Sequence, residues 1–132
     1  MSNTKAIGVA FLDPEFSTCY ATEEIGYAAA AQGTVTQLTS KSTGVTLNSS
    51  AGQITMNAAS LGATTNVTFT LTNNLLSGKD ILLLNVTNGT SASYNAFVSS
   101  MAAGLATITL RNISASPLAE AVVLNFAIIH CT

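Results

Sequence analysis

Residues 67–72 read Val-Thr-Phe-Thr-Leu-Thr, and residues 106–110 repeat the pattern as Ala-Thr-Ile-Thr-Leu. A period of two sets Val67, Phe69 and Leu71 on one side of an extended chain and Thr68, Thr70 and Thr72 on the other. Threonine is β-branched, so this polar face favours strand over helix. The pattern extends well beyond these two runs. Between Ile25 and Gly78 the one charged side chain is Lys41, while Thr, Ser and Asn recur at about every second position. A surface of hydroxyls and amides offers little acid–base chemistry. The pattern points to a structural part more than to a catalyst.

Length and composition agree. A chain of 132 residues is expected to form one domain that buries roughly two-thirds of its unfolded surface. Charged residues make up 8% against the usual ~25%, and apolar ones 48%, which argues against disorder. A net charge of −2 supplies no basic patch, so neither nucleic acid nor an anionic membrane is an expected partner. Near-neutrality also leaves little electrostatic protection against self-association. Residues 1–24 set Lys5 against Asp13, Glu15, Glu23 and Glu24, whereas the rest sets Lys41, Lys79 and Arg111 against Asp80 and Glu120. The acidity therefore belongs to an N-terminal segment.

The N-terminus has no basic region followed by an apolar run, so no export signal is expected. The longest apolar run, Ala121–Ile129, is broken by Asn125 and suits a strand, not a membrane span. Cys19 and Cys131 are expected as free thiols, and Asn-x-Thr triplets such as Asn66-Val67-Thr68 as a product of composition.

Residues 1–32 are expected to form an arm and residues 33–132 a β-domain. In the arm, Ile7, Val9 and Phe11 alternate with small residues up to Asp13-Pro14, and Phe16 and Tyr20 follow as isolated aromatics. Thr22 with Glu23 and Glu24 predicts a short helix over the Ala-rich stretch 25–31. From Gly33 onward the spacing predicts eight strands: 34–39, 44–47, 53–56, 65–72, 80–86, 93–99, 106–112 and 121–130. Turn signals such as Asn88-Gly89 and Ser116-Pro117 separate them. Eight short strands at this spacing predict an all-β sandwich or jelly roll. Ile81-Leu82-Leu83-Leu84 and Val122–Ile129 are apolar on both faces, and a sandwich leaves one face of each strand wet. Cover is therefore expected from the N-terminal segment or, more economically, from another subunit at an oligomer seam through Val122, Leu124, Phe126 and Ile128.

Catalytic and metal constellations are sparse, so no enzyme, cofactor or metal is expected. His130 is the single histidine, and in a strand it points away from its neighbour Cys131. Zinc needs further Cys or His ligands. Glu23 and Glu24 would diverge on a helix, so a glycosidase-like carboxylate pair is not expected. Asp80 follows Ser77-Gly78-Lys79 and reads as a turn support. Arg111 and Glu120 read as a salt bridge at a rim or interface.

The strings TVTQLTSKSTGVTLN over 34–48, Gly52–Asn57, Val67–Asn73, Asn112-Ile113-Ser114 and Leu118–Ile129 together resemble a small β-domain of tailed-bacteriophage virion proteins. The resemblance covers residues 33–129 and implies a phage structural protein without catalytic residues. Two functions then compete: a capsid decoration (cement) protein that binds and stabilises the outer head shell, and a head-fibre or tail-fibre receptor-binding tip. A short segment ahead of the sandwich suits a docking arm better than a shaft. The expected partners are the major capsid protein, through Ile7, Val9, Phe11, Phe16 and Tyr20, and further copies of the chain, with a trimer first. Exposed loops are candidates for glycan contact. The expected location is the capsid surface, after synthesis in the host cytoplasm.

Overall fold

The computed structural model describes residues 15–132. Ile7, Val9 and Phe11 lie outside the described residues. The chain folds as an all-β sandwich of two four-stranded sheets. Its strands are β1 (Gln32–Thr36), β2 (Val45–Thr46), β3 (Ala51–Thr55), β4 (Asn66–Thr72), β5 (Ile81–Asn88), β6 (Tyr94–Ala102), β7 (Leu105–Asn112) and β8 (Val123–Ile129). All eight predicted strands are present, with ends shifted by at most three residues.

One sheet has the order β1-β3-β8-β5 and the other β2-β4-β7-β6. The pairs β1–β3 and β2–β4 are parallel; the remaining pairs are antiparallel. A jelly roll pairs its strands antiparallel throughout. Here the chain steps from one sheet to the other and back between β1 and β3, and again between β2 and β4, so each pair runs the same way. Where β1 meets β3, Gly33 is opposite Gly52, and a Cβ on Gly52 would collide with the Gly33 carbonyl.

The alternation seen in the sequence decides which side chains face in. Phe69 and Leu71 of β4, Ala106, Ile108 and Leu110 of β7, Ile54 of β3 and Leu124, Phe126 and Ile128 of β8 form one buried cluster. Thr68, Thr70 and Thr107 turn outward on the opposite side of the same strands. The expected seam residues Val122, Leu124, Phe126 and Ile128 are thus corrected. Each is at most 4% exposed, because they pack on the other sheet of the same molecule. The free side of β8 is Val123, Asn125, Ala127 and Ile129.

The predicted helix over 25–31 is reduced to a single 3-10 turn, Ala29–Ala31, with no buried residue. A seven-residue helix is too short to persist in water without an apolar face to bury, and Gly26 weakens it further. None of the helices among the described residues is long and apolar enough to cross a membrane.

Since Ile108 and Leu124 are fully buried at the centre of opposing sheets, Ile108→Ala or Leu124→Ala is expected to lower the unfolding free energy by about 3 kcal/mol. Urea denaturation measures this, and the slope of the transition should stay that of the parent. Leu124→Asp is expected to prevent folding altogether, which would appear as loss of the sheet signal in circular dichroism and not as release of a folded monomer.

Candidate functional site

The sparse polar chemistry of the sandwich is spent on its own construction. Lys41 is 3% exposed, and its ammonium donates to the carbonyls of Asn57 at 2.5 Å and Glu120 at 2.6 Å. Burial lowers its pKa, and the Glu120 carboxylate partly opposes this. Gln37 completes the knot: its amide donates to the carbonyls of Lys41 and Thr43, and its oxygen accepts the Asn57 N–H. Lys41 is assigned no role from the sequence; its isolation in a long charge-free stretch is the signal that could have found this one. Asn73 and Asn112 are fully buried and pin loops in the same manner. Asn112 donates to Leu61 and Ser116 and accepts from Ser114, while Asn73 donates to Ser49 and accepts from Leu75.

Glu120 and Arg111 do not pair with each other. Glu120 Oε1 accepts the Thr90 N–H at 2.8 Å, and Arg111 donates to Asn66 at 3.2 Å. Those bonds to Thr90, backbone first, lower the Glu120 pKa. Glu120 follows the loop beyond β7 and turns toward the β5–β6 loop, whereas Arg111 belongs to the outer face of β7, so the two diverge. Tyr94 lies beside Glu120; burial first, then that carboxylate, pushes its hydroxyl up to about 12.

Asp80 is the other tie. Its Oδ2 accepts the Ser77 N–H at 2.8 Å and lies 3.0 Å from His130 Nδ1, and its Oδ1 accepts the Cys131 N–H at 3.0 Å. It therefore holds its own turn, as the sequence suggested, and also fastens the end of β8. The Ser77 N–H is the largest cause, with the Cys131 N–H and His130 adding to it against burial, of a pKa lowered to about 2. The Cys131 thiol turns to the Ile129 carbonyl. Both cysteines are free thiols. Among the described residues, no three His, Cys, Asp or Glu side chains converge on a point where a metal ion could sit.

Two features remain that are not used up internally. The first is the arm. Residues 15–28 are exposed throughout, with Phe16 at 67%, Tyr20 at 89% and Ile25 at 88%. Among the described residues Tyr27 ties it to the body, through its hydroxyl to the Ile128 carbonyl, with Gln32 donating to the Tyr27 carbonyl. The second is the outer face of the β1-β3-β8-β5 sheet, where Ile81 and Leu83 are 51% and Ile129 49% exposed. The opposite outer face also exposes apolar side chains, Phe97 at 41% and Leu105 at 38%. There Thr68, Thr109 and Ser99 bond to one another at 2.9 and 3.0 Å, a hydroxyl ladder that satisfies itself. Of the expected interface residues, then, Phe16 and Tyr20 are free and the four β8 residues are core.

No protein-family model, curated protein or solved structure matches the chain.

The Asp80 ties give an acid limb. An ordinary aspartate titrates near 3.9, so the folded form, with its value lowered to about 2, holds the charge more firmly than the unfolded chain. That stabilisation is complete above about pH 4 and is lost as pH falls toward about 2. Melts of the parent and of Asp80→Asn across this range are expected to converge at the acid end, with the parent the more stable above it. At neutral pH, Lys41→Ala leaves the buried Asn57 carbonyl without a donor and the Glu120 carbonyl with the Val122 N–H alone, and is expected to cost about 2–4 kcal/mol by urea denaturation.

Proposed function

We propose that this chain is a structural protein of a tailed-phage virion, a homo-oligomeric decoration protein that binds the outside of the head shell and stabilises it. The observation that carries this reading is the contrast between arm and body. The arm presents Phe16 and Tyr20 to solvent on a sandwich whose own polar groups are mostly spent on its loops. Exposed aromatics on a mobile-length tether suit insertion into pockets of a neighbouring protein, where buried aromatic anchors supply most of the binding energy. Ile7, Val9 and Phe11, ahead of them in the sequence, carry the alternation of a strand that adds to a neighbour's sheet edge. The mechanism is mechanical: each oligomer, a trimer in this reading, bridges several shell subunits, and multivalent contact resists pressure from within.

A receptor-binding fibre tip is the second reading. The β5–β6 loop favours it, because Thr87, Asn88, Thr90 and Ser91 line a neutral polar hollow of about 320 Å³ suited to a glycan.

The test is reconstitution on heads lacking this protein. The full chain is expected to bind in hundreds of copies, and a folded variant without residues 2–20 to lose binding. Phe16→Ala with Tyr20→Ala should weaken it more than roughly tenfold. Full occupancy by the truncated chain would overturn the arm. A copy number of only a few tens would favour the fibre.

A further inference from the structure

We infer that Asn88-Gly89 is a site of spontaneous covalent modification, at which the Asn88 carboxamide closes on the Gly89 nitrogen, loses ammonia and opens to aspartate or isoaspartate. The inference stands apart from the decoration reading and uses none of it.

Local geometry separates Asn88 from the other asparagines. Where an asparagine supports a turn, its side-chain oxygen commonly accepts the N–H two residues on. Asn57 takes the Ala59 N–H in this way, Asn73 that of Leu75 and Asn112 that of Ser114. Asn88 does otherwise: its Oδ1 accepts the N–H of the very next residue, Gly89, at 3.0 Å. Among the described residues it is the one asparagine whose side chain closes on the following amide. The Gly89 nitrogen therefore lies beside Asn88 Cγ, one bond beyond Oδ1. A ring through N, C, Cα, Cβ and Cγ is the five-membered succinimide.

The surroundings leave that ring free to close. Asn88 is the last residue of β5 and is exposed, as is Thr90. Among the described residues, the Gly89 N–H has no backbone acceptor, so closure breaks no ladder bond. Gly89 has φ +140°, which glycine adopts readily, and a Cβ there would meet the Tyr94 ring at 3.1 Å. The turn thus calls for a glycine, and a glycine leaves the nucleophilic nitrogen without a side chain to shield it.

The step balances with water alone. Hydroxide takes the Gly89 amide proton, the nitrogen pair bonds to Asn88 Cγ, and the Cγ–Nδ2 bond breaks as Nδ2 takes a proton from water and leaves as ammonia. Water then adds to the imide. Cleavage of the new Cγ–N bond restores the ordinary backbone with an aspartyl side chain. Cleavage of the original C–N bond routes the backbone through Cγ, as isoaspartate. Either product leaves a carboxylate at the hollow lined by Thr87, Asn88, Thr90 and Ser91, in the loop whose Thr90 N–H already holds Glu120 Oε1 at 2.8 Å. The isoaspartyl form also lengthens the backbone by a methylene where Asn88 pairs with Val123.

The test holds the full, folded chain in mildly alkaline buffer beside a short peptide of residues 86–91. Position 88 is followed by peptide mapping and by enzymatic methylation of isoaspartyl groups. Asn88 is expected to lose its amide at least as fast in the folded chain as in the peptide, ahead of the other described asparagines, and to give both aspartate and isoaspartate. Asn88→Gln, whose closure needs a larger ring, is expected to fold by circular dichroism and to lose the isoaspartyl signal. A folded chain that keeps the Asn88 amide while the peptide converts would overturn the inference, and this comparison needs no variant. So would aspartate without isoaspartate, which is direct hydrolysis that bypasses the Gly89 nitrogen. An isoaspartyl signal undiminished in Asn88→Gln would overturn it as well.

Discussion

Two inner faces, each made of every second residue of its strands, have to stay together for any other part of this molecule to exist. Phe69, Leu71, Ile108 and Leu110 on one sheet meet Ile54, Leu124, Phe126 and Ile128 on the other. Burial of this kind stabilises by about 25 cal/mol per Å² of apolar surface, and no other interaction in the chain approaches its sum. The strict period of two follows from it, since a slip of one residue would turn threonines inward and the apolar set outward.

Closing such a sandwich leaves polar backbone at both ends of the strands, where chain segments cross between sheets. The protein meets that cost with single buried side chains that each serve several groups. Lys41 and Gln37 hold the carbonyls and N–H groups between β1, β3 and the segment before β8, and Asn73 and Asn112 hold the loops after β4 and β7. Asp80 gathers the turn before β5 and the chain leaving β8. These groups look like candidates for chemistry only while their partners are unseen. In place they are struts.

What is left lies at the surface. One outer face joins Thr68, Thr109 and Ser99 in a hydroxyl ladder beside half-exposed Phe97 and Leu105; the other carries half-exposed isoleucine and leucine around a hollow. The arm leaves beside that hollow, anchored by Tyr27.

The alternation of Val67–Thr72 and Ala106–Leu110, with turn residues between runs, was enough to place eight strands and to name a sandwich, because strand burial is written locally, one residue in two. Partners across space could not be read that way. The helix over 25–31 failed because its propensity met no surface to pack on. Arg111 and Glu120 took Asn66 and Thr90 as partners because loop geometry, not their charges, set what lay within reach. The run Val122–Ile129 reads as apolar on both faces, so its sequence alone does not say which face packs inside. Only the tertiary structure decided which side is which. Leu124 and Phe126 meet the second sheet of their own molecule, and Asn125, Ala127 and Ile129 face outward, since which face of a strand turns inward is fixed by what packs against it.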